Sequence, residues 1–107
     1  MRINVLNVVK DYEGKDITEG PKKTPVTYRA IFSGALNSME EREIIPAEQK
    51  AQIFALSLKL FKSKEVDLTV EERTLIKERT AKFYTPLVYG RVSEALEESK
   101  ESSKSLS

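Results

Sequence analysis

The sequence predicts an α+β fold in which an N-terminal β-hairpin packs on three to four α-helices, so that helix predominates. Three observations lead to this prediction: β-branched residues near the N-terminus, helical spacing of apolar residues in the middle, and a helix-capping pattern in the second half. A chain of 107 residues matches the commonest size for one domain with one core. We therefore expect a single globular domain over residues 1–98 and a flexible polar tail over residues 99–107.

The predicted hairpin lies near the N-terminus. A β-rich run over residues 3–9 is followed by "DYEG", which supplies the Asp and Gly of a short loop, and residues 15–18 can then return as a second strand. The next segment, "EGPKKTP" at residues 19–25, combines proline, glycine and lysine with hardly any apolar content. Such a composition is typical of a connecting loop.

Helical patterns begin at Thr27, whose hydroxyl can cap a short helix over residues 28–37. Gly34 lies inside this helix and weakens it by about 1 kcal/mol relative to Ala. After a polar, acidic segment, Pro46 fits the first turn of a second helix over residues 46–62. We expect this second helix at the centre of the fold.

The helix over residues 46–62 carries two apolar stripes on different faces. The first stripe consists of Ala47, Ala51, Phe54, Leu58 and Phe61. The second stripe consists of Ile53, Leu56 and Leu60. A helix that is apolar on two sides is usually buried between its neighbours. If the neighbours leave the second stripe uncovered, its three residues form a candidate self-association patch, through which two copies could form a homodimer.

A further helix is predicted in "LTVEERTLIKERTAKFYTPLVYGR", residues 68–91. Thr69 and Glu72 have the spacing of a capping box, in which each side chain binds the other residue's backbone N–H, so a helix begins at Val70. Pro86 either kinks this helix or begins a last one, because the residue before a proline disfavours helical geometry. The sequence leaves both possibilities open.

One core is expected where these elements meet. Its predicted members are apolar residues that share a face within each element. They are Val5, Val8, Ile31, Phe54, Leu58, Phe61, Leu75, Ile76, Phe83, Val88, Val92 and Leu96.

The composition argues against several classes of chemistry. The chain contains no Cys and no His, which removes thiolate nucleophiles, a Ser–His triad and the commonest transition-metal ligands. The acidic cluster Glu40, Glu41 and Glu43 is interpreted as a solvated loop, because nothing nearby supplies further metal ligands. We therefore expect no catalytic residue, no metal site and no cofactor, and we do not expect an enzyme.

A membrane location is not expected either. The longest apolar-rich segment, residues 53–61, is far short of the ~20 residues that a membrane span requires. The first residues contain only a short apolar run followed by charges, which is unlike a signal peptide. These features predict a soluble, cytoplasmic protein.

One basic and aromatic cluster is the strongest candidate for binding. Cations can follow phosphates while aromatic rings stack on bases, as in single-stranded nucleic-acid binding. The net charge of +1, from 18 Lys and Arg against 17 Asp and Glu, argues against a dedicated nucleic-acid binder, so helix packing and protein binding stay open as alternatives. This basic–aromatic patch consists of Arg73, Lys77, Lys82, Tyr84, Tyr89 and Arg91.

Two segments resemble a known group of proteins. They are "DYEGKDI" at residues 11–17 and "LTVEERTLIKERTAKFYTPLVYGRVSEAL" at residues 68–96. Together they resemble small, poorly characterised proteins of tailed phages and prophages, with an Asp-Tyr-x-Gly turn followed by Leu-Thr-x-Glu-Glu and later Tyr-x-Pro-Leu-Val-x-Gly. The resemblance covers about a third of the chain.

This resemblance implies a protein that acts in the cytoplasm of an infected bacterial cell. Small phage proteins without catalytic residues often block a surface of a larger machine or serve in assembly. The implied function is thus a non-catalytic protein that binds and modulates a protein partner of the host or phage machinery. The alternative is a nucleic-acid-binding accessory protein that uses the basic–aromatic patch.

Overall fold

The computed structural model describes residues 2–97, which form four helices and four short strands, with the fourth strand between the second and third helices. The helices are α1 (Tyr28–Asn37), α2 (Ala47–Lys62), α3 (Val70–Phe83) and α4 (Pro86–Glu97). The strands are β1 (Arg2–Asn4), β2 (Thr18–Glu19), β3 (Thr24–Pro25) and β4 (Glu65–Asp67). The predicted α+β, mostly helical fold is confirmed. The predicted tail, residues 99–107, lies outside the described residues.

The chain folds back at "DYEG", as the sequence predicts. The Asp11 carboxylate accepts hydrogen bonds from the backbone N–H groups of Glu13 and Lys15, which closes the turn. Gly14 has φ of 83°, in the left-handed region that glycine adopts without strain. The returning chain then pairs with the first, since the Ile17 N–H donates to the Val9 carbonyl at 2.9 Å. A hairpin-like turn thus forms, although the pairing around it is limited to isolated bridges.

Residues 19–25 were predicted to be a connecting loop, and this prediction is wrong in part. Strands β2 and β3 pair antiparallel across a turn in which the Lys23 N–H donates to the Gly20 carbonyl. The reason lies in the flanking apolar residues, because Ile17 and Val26 pack in the core and hydrogen-bond to each other. They hold the proline-containing segment in a second, short hairpin.

The first strand pairs far along the chain. Strand β1 runs antiparallel to β4, with Ile3 opposite Val66, and both of these side chains are buried. The Val5 N–H extends the ladder by donating to the Lys64 carbonyl at 2.8 Å. No local pattern in the sequence predicts this pairing.

Helix α1 lies at the centre of the fold. It packs against both α2 and α3, and α3 packs in turn against α4. Its core-facing residues are Ile31, Phe32, Ala35 and Leu36. The prediction that α2 occupies the centre is therefore wrong, and α2 lies on the outside of the domain with one face in the core.

The helix boundaries agree with the capping patterns. Thr27 caps α1 by accepting from the Ala30 N–H, and the complete capping box of Thr69 and Glu72 begins α3. Helix α3 ends at Phe83 and α4 begins at Pro86, so two separate helices form. Among the described residues, no helix is long and apolar enough to cross a bilayer.

The core differs from the predicted one mainly on α2. Phe54, Leu58 and Phe61 were predicted to be buried, but they are 65%, 58% and 58% exposed. The other predicted members are buried or half-buried: Val5, Val8, Ile31, Leu75, Ile76, Phe83, Val88, Val92 and Leu96. The place of the three exposed residues is filled by Ile53, Leu56 and Leu60 from the opposite face.

Candidate functional site

The first stripe of α2 is a continuous exposed apolar surface. Its residues alternate four and three positions apart, which confines them to roughly 80° of the helix circumference at 3.6 residues per turn. All five residues are exposed: Ala47, Ala51, Phe54, Leu58 and Phe61. Grouped large apolar side chains on a surface usually mark a site of interaction, whereas scattered ones do not. This stripe is the candidate functional site.

The second stripe is buried, although the sequence suggested it as a candidate self-association surface. Ile53, Leu56 and Leu60 are only 6%, 2% and 0% exposed, so they belong to the core and cannot form a self-association patch. They lie roughly 150° around the helix from the first stripe. Helical spacing identifies both apolar faces, but it does not indicate which of them meets the rest of the protein.

The aromatic ring at the end of the first stripe is held in place by Arg29 of α1. The guanidinium carbon of Arg29 lies 5.0 Å from the centroid of the Phe61 ring. The same guanidinium donates to two carbonyls at the C-terminal end of α2, those of Leu60 at 2.8 Å and Ser63 at 3.1 Å. These bonds cap the C-terminal end of α2 and favour one orientation of Phe61.

Two polar contacts attach α2 to neighbouring helices. The Asn37 amide of α1 donates to the Ser57 hydroxyl at 3.1 Å. The Lys59 ammonium pairs at 2.8 Å with Glu72 of the capping box in α3. Partial burial raises the pKa of Glu72, but hydrogen bonds from Lys59 and Thr69 outweigh it and the net pKa lies below its ordinary value. Helix α2 is therefore attached on both sides, and the first stripe is presented on a fixed support.

The ends of α2 carry opposite charges next to the first stripe. Glu48 lies in the first turn and Lys62 in the last, which suits the helix dipole. Both residues are exposed, and neither side chain makes an ion pair or hydrogen bond with the rest of residues 2–97. These charges are consequently available to a partner.

A groove runs beside the first stripe, between α2 and α3. It has a volume of about 390 Å³. Its walls are formed by Gln52, Ala55, Leu56, Lys59, Glu71, Glu72 and Leu75. The charged pair of Lys59 and Glu72 lies within it, and no nucleophile is paired with a base there. The groove thus adds a polar border to the apolar stripe.

The basic–aromatic patch is divided among several parts of the structure. Arg73 donates to the carbonyl of Leu96, and Lys77 pairs with Glu97, so both contact the end of α4. Lys82 instead pairs with the loop before α2, at Glu40 and Glu43. These three cations connect elements of the same chain.

Two of the remaining members of the patch, Arg91 and Tyr84, are also occupied by internal contacts. Arg91 donates to the backbone carbonyls of Lys10 and Asp11 and pairs with Glu94 at 3.1 Å. Tyr84 packs against the core, where burial raises its pKa above the ordinary value. Tyr89 and Lys77 come together at a shallow depression of about 240 Å³, but Glu78 also borders it.

A buried ion pair that the sequence does not predict joins α3 to the loop before α2. Arg79 of α3 is 6% exposed, and its guanidinium donates to both carboxylate oxygens of Glu43. Glu43 is half-buried, so its interpretation as part of a solvated acidic loop is wrong. The two residues lie 36 positions apart, and no local pattern in the sequence connects them.

The chain carries no further sign of a chemical site in the part that the structure describes. Over residues 2–97, no group of three or more acidic side chains is arranged to hold a metal ion. Comparison with protein-family models, curated proteins and solved structures finds no match. The geometry of the chain itself must therefore indicate its function.

Proposed function

We propose that this chain is a non-catalytic protein-binding module whose contact surface is the first stripe of α2. One observation carries the proposal: Phe54, Leu58 and Phe61 are more than half exposed on one face of a helix whose other face is in the core. Aromatic and large aliphatic side chains at the centre of an interface commonly supply most of its binding energy.

The support beneath the stripe favours binding. Arg29 restrains Phe61, and the contacts through Ser57 and Lys59 attach α2 to its neighbours. A surface that is already ordered loses little conformational entropy when a partner covers it. Helix-in-groove recognition and helix pairing both use anchors at such spacing along one helix.

Nucleic-acid binding through the basic–aromatic patch is less well supported. Arg73, Lys77, Lys82 and Arg91 each make ion pairs or carbonyl contacts within the chain. A phosphate would have to compete with these contacts and with the nearby acids. Tight binding of single-stranded DNA or RNA near physiological salt, weakening steeply as salt rises, would contradict this assessment.

The resemblance to phage proteins suggests which partner this surface would bind and where. The partner would be a component of the bacterial host or of the phage machinery, met in the cytoplasm. Blocking a surface of a larger assembly requires a complementary exposed face and no catalytic residue, and the first stripe could supply that face.

A comparative pull-down tests the proposal. Wild-type protein, the double variant Phe54→Ser/Leu58→Ser and the control Tyr12→Ser are immobilised and exposed to bacterial lysate. Tyr12 is 77% exposed and lies outside α2, so its replacement removes apolar surface of another region. We expect a protein that is retained by the wild type and by Tyr12→Ser, and lost from the double variant. Equal retention by all three, from a wild type that is also monomeric in solution, would contradict the proposal.

A further inference from the structure

We propose that the first stripe of α2 binds a second copy of this chain, with the two α2 helices packed antiparallel about a two-fold axis. This inference rests on the proposed function, because it names the protein that covers the same surface. Four features carry it: the spacing of the stripe, the order of large and small side chains along it, the charges at the ends of α2, and the exposed area.

The stripe has the spacing of a helix-pairing seam. Alternating steps of four and three residues give an average period of 3.5, which keeps a seam facing a second helix along its whole length. The five residues extend from the first to the last turn of α2. A second helix can therefore follow the stripe along most of its length.

The order of side chains favours the antiparallel arrangement. The small residues Ala47 and Ala51 occupy the N-terminal half of the stripe, and the three large ones occupy the C-terminal half. When Phe54 of one copy packs beside Leu58 of the other, Phe61 of each copy lies over Ala51 of the second helix. Large side chains then face small ones at both ends. A parallel pair would place alanines together at one end and crowd the large residues at the other.

The same register brings opposite charges together. Glu48 and Lys62 lie on one flank of the stripe, at opposite ends of α2. In the antiparallel pair, Glu48 of each copy faces Lys62 of the other, so two ion pairs form across the interface. A shift of one heptad would instead place Glu48 opposite Ala55 and lose both pairs. The charges thus select one register.

The exposed area approaches what a stable dimer needs. A fully exposed side chain of this size presents about 200 Å². At their observed exposures, the three large residues Phe54, Leu58 and Phe61 therefore leave roughly 350 Å² accessible on each copy, or roughly 700 Å² for the pair. The alanines and the aliphatic stems of Glu48 and Lys62 add to this area. The total then approaches the roughly 1,000 Å² that is the lower limit for a specific interface.

Light scattering behind size exclusion tests the association. We expect a dimeric mass for the wild type and for Tyr12→Ser, and a monomeric mass for Phe54→Ser/Leu58→Ser with an unchanged circular dichroism spectrum. Reversing one charge, as Glu48→Lys or Lys62→Glu, should raise the dimer dissociation constant by about ten-fold, because attraction is replaced by repulsion at two sites. The combined variant Glu48→Lys/Lys62→Glu should restore the wild-type dissociation constant.

Cysteine cross-linking tests the orientation, and the absence of native Cys makes the readout simple. Position 55 lies next to the proposed axis, so Ala55→Cys should be joined to its counterpart by a short thiol-reactive cross-linker. Ala47→Cys is the matched control, since the two copies of position 47 would lie roughly 27 Å apart at 1.5 Å per residue. Cross-linking of Ala47→Cys in preference to Ala55→Cys would overturn the antiparallel arrangement.

The outcomes separate this inference from the proposed function. A wild-type monomer that still captures another protein through the stripe overturns the self-association and leaves the proposed function standing. A monomer without stripe-dependent capture overturns both. A dimer that survives Phe54→Ser/Leu58→Ser uses another surface and also overturns the inference.

Discussion

The Arg79 guanidinium of α3 and the Glu43 carboxylate of the α1–α2 loop form a two-pronged ion pair, with nitrogen–oxygen distances of 2.5 and 3.2 Å. Arg79 also donates to the Ser38 carbonyl, and its guanidinium carbon lies 5.0 Å from the centroid of the Phe83 ring. The start and the middle of the loop are thereby connected to α3. Helix α2 begins where this loop ends, so the ion pair helps to fix the position of α2 and of the first stripe on it.

The pair predicts a specific loss of stability in acid. Hydrogen bonds from Arg79, and then from Lys82, lower the pKa of Glu43 from 4.5 to about 2. A carboxyl with a lowered pKa in the folded state stabilises the fold above its unfolded pKa, and this contribution is lost as pH falls through the folded pKa. Glu43→Gln should therefore lower the melting temperature near neutral pH, and its difference from the wild type should shrink between about pH 4.5 and pH 2.

Thermal unfolding followed across this pH range provides the measurement. Glu40→Gln is the control, because Glu40 is an exposed partner of Lys82 and has no contact with Arg79. Its effect should be much smaller. A melting-temperature difference for Glu43→Gln that stays constant down to pH 2 would show that its carboxyl does not act through its charge.

A second prediction concerns the start of α3. Thr69→Ala removes the hydroxyl that accepts from the Glu72 N–H at 3.1 Å, and loss of such a cap typically costs about 1 kcal/mol. Thr69→Ser keeps the hydroxyl and should retain most of the stability. Urea unfolding of the two variants measures the difference, and equal stabilities would mean that the hydroxyl contributes nothing.

A third prediction concerns Gly34, which lies under the Tyr84 side chain. A Cβ at position 34 would overlap the Tyr84 hydroxyl, while the ring carbon that bears it is at an ordinary contact distance of 3.6 Å. Gly34→Ala should therefore destabilise the wild type despite the better helix propensity of alanine. In the Tyr84→Phe background the overlap is gone, and the same change should stabilise by up to about 1 kcal/mol.

A double-mutant cycle of these two positions measures the coupling by chemical denaturation. The sign of the Gly34→Ala effect should reverse between the two backgrounds. If Gly34→Ala has the same effect in both, the tyrosine hydroxyl is not what requires glycine there.

A fourth prediction compares the two stripes of α2 directly. Leu60 is fully buried and Leu58 is 58% exposed, although both are leucines in the last two turns of one helix. Leu60→Ala should cost about 2–5 kcal/mol, as for other buried leucines. Leu58→Ala should change the stability of the monomer by no more than about 0.5 kcal/mol. Denaturation at concentrations that keep the chain monomeric gives both values, and comparable losses would contradict the assignment of faces.

The sequence predicted those parts of the fold that depend on near neighbours. The caps at Thr27 and Thr69 need partners only three residues away, so the starts of α1 and α3 were predicted correctly. The Asp11 turn is equally local, and it also formed where expected.

Features that depend on distant residues could not be predicted in this way. The pairing of β1 with β4 and the contact of Arg79 with Glu43 join positions far apart, and no short spacing indicates them. Prediction of the candidate site on α2 was limited for the same reason. The residues and spacing of both stripes were recognised, but only the position of α1 and α3 determines which stripe is covered.

The pairing of β1 with β4 also affects the order in which the protein can be built on a ribosome. Strand β1 must wait for residues 65–67, and α1 and α2 are made in between. Until then Ile3 and Val5 have no β4 to pack beside, and closing this long loop is entropically costly. Strand β1 can therefore pair only after both α1 and α2 have been made. Newly made chains would expose it to chaperones, or to each other, throughout the synthesis of the first two helices.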